Sequence, residues 1–457
     1  MQFLKNRVII SAVSRDDRLH NISSIDGRYK DKTENLRKYF SEFALIKKRI
    51  FVELEYIKLL SSKKIAPKCS ASEVAQIYKI FDRFDLFEAK KVKKIEEEIN
   101  HDVKAVEYYL REQFKKNKLQ KLSSFIHIGL TSSDTNNIAQ ALLLKEFNKE
   151  ILNQKLSQII NSIRKHTIKY SDSAFIARTH GQSAVPTTLG KEFKNYEIRL
   201  KKQQIKLKKF QFEAKLNGAV GNYNALNTIF PKVNWVEFSK KFLGSLGLDT
   251  NLFTTQILPY DNQIEFFQII LIINSVLIDL SNDLWLYNML GIVSLEKNKA
   301  HIGSSTMPQK VNPIEFENAE GNLKIANTMF NFYQEKLLIS RLQRDLSDST
   351  IARTFGTTLS HAIIAWENII KGLGYVRFEK ESAQKELDSH WEVLSEAAQT
   401  YLKSKGDDLG FEKIKKTVHG KKLTKEGYLK LVSDKFLIKL EPKKYIGLAS
   451  KLAKKTI

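Results

Sequence analysis

The chain has 457 residues, 42% of them hydrophobic, enough for a large core and for two to three domains. It carries a formal net charge of +24, only 7 prolines and 19 glycines, and a single cysteine, Cys69. That composition excludes a disulfide within the chain, a cysteine-based metal cluster and a turn-rich all-β fold.

At the start of the chain, Met1-Gln2-Phe3-Leu4-Lys5-Asn6-Arg7 lacks the apolar core of a signal peptide. Together with the lone cysteine, this leads us to expect a cytoplasmic protein. No proline lies between Pro67 and Pro186, or between Pro313 and Pro442, so both spans permit long helices. Residues 1–120 read as shorter helices ending near the polar run 115–124. Residues 138–163 read as one long helix. From Leu189, apolar residues recur at Phe193, Tyr196, Leu200, Leu207, Phe210 and Ala214, a heptad seam with Gln203 as a polar insertion. That spacing predicts a helix over 187–216, roughly 45 Å long at about 1.5 Å per residue. Another is predicted over 265–293. Its apolar stretch is interrupted by Gln268, Asn274 and Asp279, which suits a buried helix rather than a membrane span. A further helix begins after Asn312, with Asn312 as N-cap, Pro313 at N1 and Glu315 at N3. Beyond Gly374 the pattern shortens, punctuated by Gly406, Gly410, Gly420 and Gly427. Long seams bury only against one another. We therefore expect an all-α fold of three helical domains, 1–120, 121–374 and 375–457, with a central long-helix bundle that favours an oligomer.

The charge admits two readings, a nucleic-acid partner or a lysine-biased surface. The chain has 60 lysines and 15 arginines, the lysines are dispersed, and no RNA-binding motif, zinc finger or basic arm is present. We prefer the solvated surface and expect no specific nucleic-acid or membrane partner. The field still steers anionic small molecules toward the chain. P-loop, Rossmann, nucleophile-elbow and His-Glu-x-x-His patterns are absent, and the nine histidines lack metal-ligand spacing. Neither a metal nor another cofactor is expected.

Four loop-like segments interrupt the helices. In Gly303-Ser304-Ser305-Thr306-Met307-Pro308-Gln309-Lys310-Val311-Asn312-Pro313, two hydroxyls precede a lysine and a helix start. Free N–H groups at a helix start attract anions, so this arrangement suits a carboxylate held by Lys310 and Asn312 beside a serine. Alone it would be an ordinary Ser/Gly loop before a capped helix. The second segment is Arg178-Thr179-His180-Gly181-Gln182, where a lone histidine in a turn is more often structural than catalytic. The third, Leu130-Thr131-Ser132-Ser133-Asp134-Thr135-Asn136-Asn137, also reads as a helix N-cap. The fourth is Gln343-Arg344-Asp345-Leu346-Ser347-Asp348-Ser349-Thr350-Ile351-Ala352-Arg353. Arginine is the minority cation, yet Arg28, Arg178, Arg344 and Arg353 all fall in such segments, and two-point recognition of phosphate or carboxylate favours arginine.

The Gly303–Pro313 stretch resembles the signature loop of the fumarase/aspartase superfamily. The fourth segment resembles the phosphate and succinyl contact region of its adenylosuccinate lyase family, bacterial-type branch. So do Gly27-Arg28-Tyr29, Asn100-His101-Asp102 with the residues to Glu107, Asn217-Gly218-Ala219-Val220-Gly221-Asn222-Tyr223-Asn224, and Thr254-Thr255-Gln256. The order is the family's from about Ser24 to the C-terminal region.

The resemblance implies a carbon–nitrogen lyase that eliminates fumarate from adenylosuccinate and from the succinylated aminoimidazole carboxamide ribotide of purine biosynthesis. It makes Ser304 the general base and His180 the general acid, with His101 in support. It assigns substrate binding to Arg28, Tyr29, Asn100, His101, Asp102, Thr131, Ser132, Gln256, Lys310, Asn312, Arg344, Ser349 and Arg353. It also implies a homotetramer whose active sites are shared between subunits. A serine base needs desolvation, cationic neighbours and loop closure, and Lys310 and the helix start would supply the positive field. The sequence departs from the family's pattern at Ala300, His301, Gln309 and Ser183, and in about a dozen additional N-terminal residues. The rivals are another fumarate-releasing lyase such as an argininosuccinate lyase, which needs no phosphate cluster, and a non-catalytic basic scaffold.

Overall fold

A computed structural model describes residues 18–296 and 306–456. Helices dominate, as the sparse prolines predict, and their starts are written in the sequence. Ser41 opens the Glu42–Ser62 helix by accepting the Ala44 N–H at 3.1 Å. Ser70 and Glu73 form a reciprocal capping box at Ala71–Asp82. Asp85 caps Leu86–Ile99 through the N–H groups of Phe87 and Glu88. That helix ends at Asn100, in the left-handed region at φ 52°, a conformation asparagine tolerates better than most residues.

The described residues fall into two compact units. The first comprises the described part of Met1–Leu152, with Lys209–Gln268 and Thr328–Ile364. Its core is built where Glu42–Ser62 packs on Ser132–Phe147, burying Ile50, Tyr56, Ile57 and Leu60 along one face and Ile138, Ala141 and Phe147 along the other. An aromatic cluster of Phe267, Phe330, Tyr333 and Phe355 adds ring contacts of 4.9–6.2 Å.

The second unit comprises Asn153–Lys208 and the described parts of Ile269–Asn327 and Ala365–Ile457. Here the Asn153–Lys169 and Leu189–Lys209 helices approach so closely at Gly190 that a Cβ there would lie 2.5 Å from the Thr167 carbonyl oxygen. His166 stacks on Phe193 and Tyr170, with ring centroids at 5.1 and 5.7 Å. Its Nε2 meets the Leu373 carbonyl oxygen at 2.8 Å, and its buried Nδ1 has no hydrogen-bond partner among the described residues.

The long seams form with shifted ends. The 138–163 span is two helices, Ser132–Phe147 and Asn153–Lys169, joined by a π-helical turn over Asn148–Leu152. The seam helix runs Leu189–Lys209, shorter than the spacing predicts. Phe210 and Phe212 leave it to pack on Phe266, at 5.4 and 4.9 Å, and Glu213–Ala214 pairs in parallel with Asp249–Thr250. The Asp261–Met289 helix is long and apolar enough to cross a membrane by length and composition alone. Phe266, Ile270, Ile273, Leu277 and Leu280 along it are nevertheless buried in the fold. Asn274, fully buried, accepts from the Trp366 indole at 2.9 Å and donates to Asn327 at 3.0 Å, so its polar interruption is satisfied inside the protein.

The His166 environment generates a prediction. Burial holds its imidazole below the ordinary value of 6.5, against the opposing Leu373 carbonyl. The unfolded chain then binds a proton at this position that the folded chain refuses, so stability falls as pH drops below about 6.5. His127, whose folded value is raised, acts in the opposite sense. The diagnostic is therefore the difference between wild type and His166→Gln. Thermal melts from pH 7.5 to 5.5 should show a shallower loss of stability in the variant, and equal slopes would refute the assignment.

Candidate active site

A carboxylate and an ammonium, both fully buried, organise the first unit. Asp134 Oδ1 accepts from Lys215 Nζ at 2.7 Å, and each side chain has 0% exposure. The carboxylate also accepts the N–H groups of Thr131, Asn217 and Gly218 at 2.9, 3.1 and 3.1 Å. Lys215 Nζ donates again to the Gly218 carbonyl oxygen at 3.1 Å. Burial holds the lysine below its ordinary value, against the pull of Asp134. The pair thus ties the loop ending at Thr131-Ser132 to the turn starting at Asn217. From Asn217 the order continues outward. Its amide donates to Thr254 Oγ1 at 2.8 Å, and Gln256 Nε2 donates to the Ala219 carbonyl oxygen at 3.1 Å. Gly221, at φ +85°, makes this turn possible, since a Cβ there would stand 2.3 Å from the Thr254 carbonyl oxygen.

Gln256 leads into an arginine cleft. Arg344 donates from Nη1 to Gln256 Oε1 at 3.2 Å and from Nη2 to Ser349 Oγ at 3.1 Å. Its Nε is buried and has no partner among the described residues. Arg49, Asp102, Tyr260, Asp348, Ser349 and Arg353 line the same cleft. Arg49, 3% exposed, fastens Asp102 at 2.7 Å and Asn136 at 2.8 Å. Burial alone would raise the Asp102 carboxyl, but the Arg49 guanidinium and the Val103 N–H more than offset it and hold it below the usual carboxylate range. The cleft can therefore receive a polyanion through arginine nitrogens, a hydroxyl and fixed amides.

The first unit thus brings together Asp102, Arg344, Ser349 and Arg353 in one cleft, with Gln256 bonded to Arg344. Thr131 is the N-cap of the Ser132–Phe147 helix, its N–H donating to Asp134 Oδ2, and Ser132 is the first residue of that helix. His101 is exposed at the N-cap of Asp102–Lys116, its Nδ1 accepting the Lys104 N–H at 3.1 Å. Asn100 is exposed beside it, Arg28 is exposed, and Tyr29 is half-buried at the cap of Lys30–Thr33. The second unit carries His180, Lys310 and Asn312. His180 is exposed, at φ 52°, on the tip between the antiparallel strands Ala174–Thr179 and Gln182–Thr188. Ala174 and Ile176 anchor that hairpin in a core with Leu387, Trp391 and Leu394. Arg178 within it pairs with Glu386. Lys310 is exposed, with its N–H bonded to the Met307 carbonyl oxygen at 3.1 Å. Ser304, Ala300 and His301 lie outside the described residues. Sequence reasoning passed over Arg49, Lys215 and Tyr260, and it quoted Asp348 within the fourth segment without giving it a role. The one available signal was the scarcity of arginine, which could have drawn attention to Arg49.

Comparison with known proteins gives the family. Residues 27–327 match a family model described as lyase, and residues 340–447 match one described as adenylosuccinate lyase C-terminal. An adenylosuccinate lyase of Legionella pneumophila (strain Corby) is 41% identical over 448 residues, covering 95% of this chain and 98% of its own length. The chain belongs to the adenylosuccinate lyase family. An adenylosuccinate lyase of Escherichia coli (strain K12) is 39% identical over 94% of this chain and 96% of its own length. Among solved structures, the 3-carboxy-cis,cis-muconate lactonizing enzyme of Pseudomonas putida shares the helical fold at TM-score 0.75. It is 18% identical and covers 92% of this chain and 95% of its own. Family membership makes the chain a carbon–nitrogen lyase, and the arginine cleft falls on residues that the two family models span.

If the Asp134–Lys215 pair organises these loops, Lys215→Met should leave a buried, uncompensated carboxylate. Loss of one partner of a buried pair typically costs about 3–5 kcal/mol. Chemical denaturation of the variant should show that loss, and a change under about 1 kcal/mol would mean the backbone amides alone hold Asp134.

Proposed function

We propose that this chain eliminates fumarate from adenylosuccinate, giving AMP, and from the succinylated aminoimidazole carboxamide ribotide earlier in purine biosynthesis. The observation that carries the reading is the Arg344 cleft. A buried guanidinium nitrogen without a partner among the described residues, beside Ser349 and Arg353, suits the phosphate common to both substrates. An argininosuccinate lyase would have no phosphate to place there.

In this reading Ser304 removes the proton from the succinyl carbon next to a carboxylate. The electron pair spreads into that carboxylate, which Lys310, Asn312 and loop amides stabilise. The carbon–nitrogen bond then breaks, His180 protonates the departing nitrogen, and fumarate leaves. Imidazole suits the acid role because it exchanges protons near neutral pH. Arg28, Tyr29, Arg344, Ser349 and Arg353 hold the phosphate end. Asn100, His101, Asp102, Thr131, Ser132 and Gln256 position the rest. We place the enzyme in the cytoplasm as a homotetramer with shared sites. Ile272, Trp285, Leu286 and Met289 on one long helix, and Ile325 on another, stay exposed in the single chain, which supports association through the long helices.

The test follows both roles at once. Ser304→Ala and His180→Gln should each lower turnover about 10²- to 10⁴-fold, as general acids and bases typically contribute, with little change in substrate binding. Mixed under subunit exchange, the two inactive variants should regain part of the fumarate release, because some hybrid sites hold both intact residues. Absence of recovery would sink the shared site. Near-normal turnover of Ser304→Ala would move the base to Ser305.

A further inference from the structure

The arginine cleft contains its own competitors. Asp102 and Asp348 both line it alongside Arg344 and Arg353. Carboxylate and guanidinium groups that line one cleft can form two-point ion pairs. Yet among the described residues neither Arg344 nor Arg353 makes an ion pair. Arg344 bonds only neutral acceptors, Gln256 Oε1 and Ser349 Oγ. Arg353 bonds the Ser349 carbonyl oxygen at 3.3 Å.

Each acid is held elsewhere. Asp102 is fastened to Arg49. Asp348 receives the Tyr260 hydroxyl on Oδ2 at 3.2 Å, and its Oδ1 lies 3.5 Å from Ser349 Oγ. Tyr260 is 7% exposed, and burial first, then Asp348, pushes its phenol well above the ordinary value, so it remains a donor. Tyr260 sits at the head of the Asp261–Met289 helix, its carbonyl oxygen accepting the Ile264 N–H at 2.8 Å. Its hydroxyl is therefore a fixed donor, one that a mobile surface side chain could not replace.

We propose that Tyr260 is a positioning residue that clamps Asp348 away from Arg344, as Arg49 clamps Asp102, and so keeps the arginines un-neutralised for the substrate phosphate. The proposal rests on the phosphate reading of the cleft given above. The clamp acts before any ligand arrives. A carboxylate free to swing onto Arg344 would have to be displaced by each incoming phosphate, and that competition would weaken binding without touching the reacting carbon. The effect therefore belongs in nucleotide affinity and KM rather than in kcat.

The experiment uses the full-length enzyme and AMP as the probe, with affinity measured by calorimetry. Tyr260→Phe removes only the hydroxyl. It should weaken AMP binding about tenfold, the size of one displaced charge-assisted contact. It should also raise KM with kcat nearly unchanged. Adding Asp348→Asn to that variant removes the competing charge and should bring AMP affinity back to within about threefold of wild type. A merely structural tyrosine predicts no such rescue. Arg344→Met separates the two layers of the argument. If it leaves AMP binding intact, the cleft is not the phosphate site and the reading beneath the proposal fails. If Arg344→Met abolishes binding but Tyr260→Phe does not weaken it, or weakens it without rescue by Asp348→Asn, the clamp itself is overturned.

Discussion

The geometry of the first unit depends on one buried ion pair. Asp134 and Lys215 are 81 residues apart in sequence and share no solvent. Burying two charges is costly unless every lone pair and proton is used. Here the carboxylate takes one ammonium and three backbone N–H groups, and the ammonium takes one carboxylate and one carbonyl. The carboxylate is saturated, while the ammonium uses two of its three protons, and the carboxylate's saturation has a structural result. The bonded N–H groups belong to two separate loops, so satisfying Asp134 fixes Thr131 relative to Asn217 and Gly218. Everything further out, from Thr254 to Gln256 to Arg344, hangs on that register.

A second constraint is electrostatic. A cleft proposed to take a phosphate needs positive nitrogens not already neutralised, and the nearby carboxylates have to be managed rather than merely present. Arg37, Arg49, Arg111, Arg178, Arg199 and Arg377 each close an ion pair with an aspartate or glutamate. Arg344 and Arg353, placed beside two aspartates, close none among the described residues. The same residue type therefore serves two purposes in one chain. What separates them is whether a nearby acid is free to reach the guanidinium or is already bonded elsewhere.

Much of this was legible in the sequence. The helical class follows from proline spacing and from the periodicity that puts Leu189, Phe193, Tyr196, Leu200 and Leu207 on one buried face. The cleft segment was legible through its resemblance to the family's phosphate and succinyl contact region, with the scarcity of arginine in support. Other features were not. Lys215 follows an apolar seam and reads as its solvated end, since nothing local reveals an aspartate 81 residues away. The strands bearing His180 are short and contain Pro186, and they lie between two helices, so they read as a turn. The seam helix ends early because Phe210 and Phe212 find aromatic partners on Phe266, a tertiary preference that periodicity does not encode. The clamp residue Tyr260 carries no pattern at all. It acquires a role only when the fold places Asp348, 88 residues later, within reach of its hydroxyl.

These limits share a physical cause. Periodicity reports which face of a helix is apolar, and composition reports which functional groups are rare, but both are local quantities. A charge-managed cleft is non-local. Its working state depends on which of several chemically possible pairs is formed, and that choice is made by buried partners contributed from distant segments. The lysine excess sharpens the point. Sixty lysines supply the net positive field, and a long-range field of this kind raises the encounter rate with anions without selecting among them. Selection requires donors that are fixed, planar and unpaired at short range. In the proposed clamp those donors are the nitrogens of Arg344 and Arg353, which among the described residues bond only neutral acceptors because Arg49 and Tyr260 occupy the acids that would otherwise claim them.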